Sequence, residues 1–323
     1  MNASRVSSLR AGARAGVTSL SAAAACAFSQ GLPPIYDHTA SKPAPTSIVA
    51  EFDKGTFLEN LAIGPDGVLH VNSYLDGKVY RIGPDGQPRV WCTVDGTIAG
   101  IALNPDGSAL LSGWIKGKEP AVFAVDPAGR SSVLLRLPDA QFPNGVVRLA
   151  PDQYLVADSY KGVIWRVDAK SRTAAIWLQD DSLARSSADN PTPAVNGLKL
   201  HGGALYASNT ARQWLLKVPV TDGKAGRPEV LRTGFGIDDF DFDDSGVLYG
   251  ATHVYNSLVR LGVDGSVTII AGLEQGMAGS TAVAYSQADG GKIYVTTNGG
   301  LSLPPAGGVQ RGKVVRVAVG AAR

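Results

Sequence analysis

Six segments of one design, starting at Glu59, Ala99, Asn144, Asn196, Asp238 and Ser280, most constrain what this chain can fold into. The starts are spaced by 40, 45, 52, 42 and 42 residues. Each segment opens on a short polar or glycine-containing element. A β-prone run of about five residues follows, then a turn, a second run, and a third that ends in patterns such as Val79-Tyr-Arg81, Ile164-Trp-Arg166 and Leu258-Val-Arg260. Turns such as Gly64-Pro-Asp-Gly67 and Asn104-Pro-Asp-Gly107 separate the runs. Proline presets φ inside these turns and glycine accepts positive φ at their ends. A repeat near 40–45 residues built from four short strands is the pattern of a β-propeller. The expectation is an all-β, six-bladed β-propeller over residues 46–319. Residues 47–52 should serve as the outer strand of the last blade, beside residues 313–317, so that the ring has no open edge. A β-sandwich with extra strands is the competing architecture.

The ends read differently. No Asp or Glu occurs from Met1 to Tyr36, and Arg5, Arg10 and Arg14 precede a mildly apolar run at 17–28. Ala25-Cys26-Ala27 fits a small-residue cleavage pattern. Residues 1–27 are therefore expected to be a signal or targeting peptide, residues 28–45 a linker, and 320–323 a tail. A periplasmic or secreted location follows, with organelle targeting as the alternative. Lys plus Arg number 30 against 28 Asp plus Glu, which leaves no large basic surface for nucleic acid. No run of 18 apolar residues offers a membrane span. The two cysteines, Cys26 and Cys92, are too few for a disulfide framework or a thiolate zinc site. A monomer or homodimer acting on a small molecule is expected.

In a propeller the starts of the innermost strands converge on the axis. Here those positions carry Glu59, Asn144, Asn196 and the pair Asp238-Asp239. Carboxylates with amide oxygens suit a hard divalent cation, Ca²⁺ first, with Zn²⁺, Mn²⁺ and Mg²⁺ as alternatives. Asn-Gly is also a common turn dipeptide, and residues 238–244 also read as a solvated acidic loop. The ends of second strands place Trp114, Ser159, Tyr160 and Asn209 at the rim of the same channel mouth, with His253 and Tyr255. Trp114, Tyr160, Asn209, Tyr255 and Asn144 are the expected substrate-binding residues, and His253 is a titratable candidate for catalysis. Connections at 115–120, 179–193 and 299–312 are candidate lids.

The ordered set of Glu59 ahead of Gly64-Pro-Asp-Gly67, then Pro143-Asn-Gly145, Asn196-Gly-Leu198, and Asp238 eight residues before Gly246 resembles the regucalcin (senescence marker protein)/gluconolactonase family of six-bladed propellers. Paraoxonases and strictosidine synthase are more distant likenesses. The resemblance implies that Glu59, Asn196 and Asp238 hold a divalent cation, that Asn144 binds metal or substrate, and that the activity is lactone hydrolysis. Three features depart from it. Asp238-Asp239 stands where many relatives have Asp-Gly, Asp241 occupies a usually apolar place, and the second start, Ile98-Ala-Gly-Ile101, has neither a ligand nor the paraoxonase-type His. The expected function is a metal-dependent lactone or ester hydrolase. The cation polarises the carbonyl, water attacks, and Asp238, or secondarily Asp239, is the base. No Gly-x-Ser-x-Gly motif occurs and no His sits in a recognisable triad pattern, so the sequence disfavours serine hydrolysis. A non-catalytic binding propeller with a structural cation, or a strictosidine synthase-like lyase, is the alternative.

Overall fold

A computed structural model describes residues 32–319. The expected targeting peptide and the 320–323 tail lie outside the described residues. Six small antiparallel sheets stand in a ring, one for each repeat. Their innermost strands are Leu58–Ile63, Gly96–Leu103, Pro143–Ala150, Val195–His201, Phe240–Phe242 and Ser280–Ser286. Every sequence-read start falls on one of these strands or, for Asp238, two residues before it. The only helices among the described residues are two single 3₁₀ turns. No described helix is long and apolar enough to cross a membrane.

The ring closes as expected. Thr46–Lys54 pairs antiparallel with Arg311–Val317, with Thr46 opposite Val317 and Ile48 opposite Val315. Thr46–Lys54 thus completes the sixth blade. Apolar side chains fill the wedges between neighbouring blades. One such wedge joins Leu155, Ile164, Leu198, Leu205 and Leu216, and another joins Tyr249, Leu258, Met277, Val283, Val295 and Val315.

Polar side chains at the second strands of blades 1 to 4, and on the innermost strand of blade 6, tie a blade to the next. Asn72 Nδ2 donates to Ile98 O at 2.7 Å, Ser159 Oγ to Val195 O at 2.6 Å and Ser208 Oγ to Asp238 O at 2.6 Å. Ser112 Oγ donates to Asn144 O, and Thr281 Oγ1 to Leu58 O at 2.9 Å. Buried hydroxyls and amides are stable only when paired. Here they are paired with the carbonyls of the inner-strand starts, which holds the channel lining in register.

Residues 32–45 are docked on blade 5, not a free tether. Ala40–Ser41 adds in parallel to Val267–Ala271, and Ala44 N donates to Ile270 O at 2.8 Å. Tyr36 is buried among Leu215, Phe235, Ile237 and Phe240. Composition suggested a linker because the segment contains Pro, Ser and Thr, but Ile35 and Tyr36 supply enough apolar surface to dock, and the outer edge of blade 5 accepts a strand.

His70 lies inside blade 1, its ring edge-on to Trp91 at 4.8 Å. Burial, aided by the nearby Arg81 charge and opposed by Asp66, pulls its pKa down to about 4. The unfolded chain therefore takes up this proton near pH 6.5 and the folded one only near pH 4. The stability it contributes is complete above pH 6.5 and is lost as pH falls toward 4. His70→Leu should flatten the acid limb of denaturant-derived stability between those values, by up to about 3 kcal/mol.

Candidate functional site

The inner strands do not run straight at their starts. Register shifts interrupt pairing at Leu58/Asn60, Ile98/Gly100, Pro143/Val146, Val195/Leu198 and Ser280/Ala282. A bulge re-aims a side chain and breaks the alternation of a strand. Glu59, Asn144 and Asn196 sit in these bulges. The glycines that follow the asparagines are required by close approach of neighbouring strands. A methyl group at Gly145 would overlap Asn196 O, and one at Gly197 would overlap the Asp239 carboxylate. Neither glycine has a positive φ, so the two Asn-Gly pairs are strand starts and not turns.

Side chains from blades 1, 4 and 5 meet here. Asn196 Nδ2 donates to Asp238 Oδ1 and reaches Thr210 Oγ1 at 3.3 Å. His253 Nδ1 lies 3.1 Å from Asp238 Oδ2. The Asp238 backbone is clamped on both sides, its N–H donating to Ala251 O at 2.7 Å and its carbonyl accepting from Gly197 N at 3.2 Å. Glu59 Oε2 is sealed from solvent with no hydrogen-bond donor. Burial first, then the charges of Asp238 and Asp239, push the Glu59 carboxyl well above the usual carboxylate range. Asn144 is buried and donates through Nδ2 to Ser159 Oγ at 3.2 Å.

Asp239 has a different partner. Its Oδ2 lies 3.3 Å from Lys199 Nζ, and its Oδ1 is buried without a donor. Burial raises its pKa to about 6 against the pull of Lys199. Burial pulls Lys199 down, but Asp239 and Asp241 more than offset this and leave it raised. Asp239 is thus committed to Lys199, while Asp238 faces His253.

His253 adopts the left-handed backbone at φ +50°, which is costly for a non-glycine residue. Its N–H donates to Ser280 O at 2.8 Å, and its carbonyl accepts from Asn256 N at 3.0 Å. Its Nε2 meets Asn298 Nδ2 at 3.0 Å and Ser302 Oγ at 3.1 Å.

From His253 an arc of aromatic rings crosses blades 1 to 3. Phe57 lies 6.2 Å from His253 and 5.5 Å from Tyr74, and Tyr74 lies 6.0 Å from Trp114. Trp114 meets Phe142 at 4.7 Å, and Phe142 meets Tyr160 at 4.8 Å. Arg185, from the 179–193 connection, lies over Tyr160 at 4.5 Å, and the Tyr160 hydroxyl donates to Pro191 O at 2.9 Å. That connection therefore closes against the arc. Sequence reasoning singled out Trp114 and Tyr160 but missed Phe57, Tyr74 and Phe142, which belong to no shared motif.

Two expected rim residues have other work. Asn209 is fully buried, with Nδ2 donating to Ser182 O at 2.8 Å and Ala184 O at 3.1 Å, and with Oδ1 accepting from Arg212 N at 3.1 Å. It anchors the 179–193 connection, which takes both Nδ2 hydrogens. The Tyr255 hydroxyl donates to Pro33 O at 3.0 Å and accepts from Gln213 Nε2 at 3.2 Å. It receives the docked N-terminal segment. Asn209 ends the strand Ala204–Asn209 and Tyr255 lies in the turn before Leu258–Leu261, and neither position determines side-chain direction.

The donor set fits a divalent cation. Glu59 Oε2 is an orphaned buried acceptor beside Asp238, and no lysine or arginine pairs with either carboxylate. Among the described residues no three His, Cys, Asp or Glu groups are placed to hold a metal by themselves. A cation here would need amide oxygens beside Glu59 and Asp238, and the Asn196 side chain, in contact with Asp238, is the nearest source; such a set favours hard, oxygen-preferring ions.

A regucalcin described as a calcium-binding protein, from Agrobacterium tumefaciens str. C58, superposes with a TM-score of 0.66 at 17% identity, covering 87% of this chain and 96% of that one. The fold is that of the regucalcin and gluconolactonase propellers. A gluconolactonase from Xanthomonas campestris superposes with a TM-score of 0.61 at 15% identity, over 85% of this chain and 90% of that one. In sequence, a candidate hetero-Diels-Alderase of Sarocladium schorii is 24% identical over 80% of both chains. No protein-family model matches the chain.

Proposed function

We propose that this propeller is a divalent-cation-dependent hydrolase of a lactone or ester that carries an apolar body. The observation that carries this reading is the sealed, donor-less Glu59 Oε2 beside Asp238, with Asn196 on one Asp238 oxygen and His253 on the other. The likeness to gluconolactonase and regucalcin structures supports it. Glu59, Asn196, Asp238 and the Asn144 amide oxygen would hold the cation, Ca²⁺ first. When bound, the cation supplies Lewis-acid polarisation of the carbonyl and stabilises the developing oxyanion.

The chain's own residues do the rest. Asp238 is placed to take a proton from the attacking group, and His253 Nδ1–H fixes the orientation of its carboxylate. Asn144 is held by Ser159 at the wall where it can orient the substrate. The aromatic wall of Trp114, Phe142 and Tyr160 would border the apolar body of the substrate, with Arg185 of the 179–193 connection covering Tyr160. Residues 1–27 remain the basis for proposing export to the periplasm or outside the cell.

A panel of γ- and δ-lactones and aryl esters, assayed with Ca²⁺, Zn²⁺ or Mn²⁺ and with EDTA, tests this reading. Turnover should favour substrates with apolar or aromatic bodies and should fall to background with chelator. A folded, cation-binding protein inert to the whole panel would instead support a binding propeller. A second reading, an aromatic cavity that folds a polyene for cycloaddition, is favoured by the five-ring arc together with the Sarocladium relative. It requires turnover of a diene and dienophile without hydrolysis.

A further inference from the structure

We infer that Ser302, His253 and Asp238 form a nucleophilic relay, so that this site can pass through an acyl-serine intermediate. Ser302 Oγ lies 3.1 Å from His253 Nε2, and His253 Nδ1 lies 3.1 Å from Asp238 Oδ2. This is the order and spacing of a serine–histidine–aspartate relay, with the three members far apart in sequence and none in a nucleophile-elbow motif. The buried Asp238 accepts the Nδ1 proton, which leaves the Nε2 lone pair as an acceptor that the Asn298 amide and the serine hydroxyl share. Ser302 belongs to the 299–312 connection and is partly exposed.

Asn298 is the positioning residue of this arrangement. It is fully buried, reaches His253 Nε2 at 3.0 Å through Nδ2, and accepts from Gly300 N at 2.9 Å and Leu301 N at 3.1 Å through Oδ1. One side chain thus sets both the imidazole and the loop that carries Ser302. The left-handed backbone of His253 places its ring between the two.

The step balances. Ser302 Oγ bonds to the carbonyl carbon and its proton passes to His253 Nε2. The acyl C–O bond breaks, and the leaving alkoxide takes that proton from His253. Water then attacks the acyl-serine by the reverse proton route, and Ser302 is restored. For its substrate the inference rests on the hydrolase reading; for its nucleophile it rests on geometry alone, with His253 replacing Asp238 as the proton acceptor and Asp238 orienting His253.

Incubation of the full chain with an alkyl fluorophosphonate tests it. The serine oxygen bonds to phosphorus, fluoride leaves, and the proton goes to His253. A single stoichiometric adduct mapped to Ser302 by peptide mass spectrometry is expected, absent in Ser302→Ala. Lactone or ester turnover in Ser302→Ala should fall at least 100-fold, with its thermal melt and cation-induced shift unchanged. No adduct in the wild type, or an adduct on another residue, overturns the relay without need of any variant. Equal turnover by Ser302→Ala also overturns it and leaves the hydrolase reading intact. Labelling at Ser302 in a protein inert to all lactones and esters sustains the relay and removes the hydrolase reading.

Discussion

Glu59→Gln is expected to stabilise the protein in EDTA and to abolish its response to divalent cations. In the unfolded chain Glu59 ionises at the ordinary carboxylate value. In the folded chain burial, and then Asp238 and Asp239, hold its pKa well above that. Folding at neutral pH therefore requires either proton uptake or burial of an unpaired charge. Stability is complete below the ordinary carboxylate pKa and declines as pH rises toward the elevated one. Glutamine keeps the shape, removes the charge, and offers an N–H to the neighbouring carboxylates. A gain of about 1–3 kcal/mol in chelator at pH 8 is expected, smaller at pH 4–5, because an unsatisfied buried polar group costs about that much. Wild-type protein should recover about 2.7 kcal/mol when Ca²⁺ reaches 100 times its dissociation constant, whereas Glu59→Gln should gain none. Paired urea titrations with EDTA and with Ca²⁺ give both numbers. A variant less stable than wild type in EDTA would mean that Glu59 has a partner that the geometry does not provide.

Asp238→Asn should reduce turnover by about 100- to 10,000-fold while the fold persists, the range typical of losing a positioned proton acceptor or charge stabiliser. Both Asp238 oxygens accept hydrogen bonds, one from Asn196 Nδ2 and one from His253 Nδ1. An asparagine can satisfy only one of these donors, so the imidazole loses its anchor. The backbone clamps through Ala251, Gly197 and Ser208 do not involve the side chain and should keep the blade intact. Steady-state kinetics on an aryl ester, with circular dichroism as the folding control, measure the effect. A fall in turnover of less than tenfold would place the proton acceptor elsewhere.

The repeat arithmetic was sufficient to read the ring, its six starts and its closure, because four-strand blades impose their period on the turns. It also placed Glu59, Asn196, Asp238 and His253 at one end of the axis, where the structure brings Asn196 and His253 onto the two oxygens of Asp238. What it could not read depends on single side chains. Asn209 and Tyr255 lie in the second-strand ends and turns that also carry Trp114 and Tyr160, yet one brackets a loop and the other receives residues 32–36. Ser302 lies in a connection with no periodicity, and its place is set by the Asn298 side chain. Lys199 escaped notice because the bulge at Val195/Leu198 breaks the two-residue alternation that would have assigned its face. Asp239, weighed as a second base, is drawn away by that same lysine.

The functional reading turns on the proposed cation, and diffraction from crystals soaked in Mn²⁺ addresses it directly. An anomalous peak about 2.0–2.5 Å from Glu59 Oε2, sharing Asp238 and the Asn196 amide oxygen, is the expected result. A clean map at that point, with anomalous signal only on the outer faces of the blades, would contradict it.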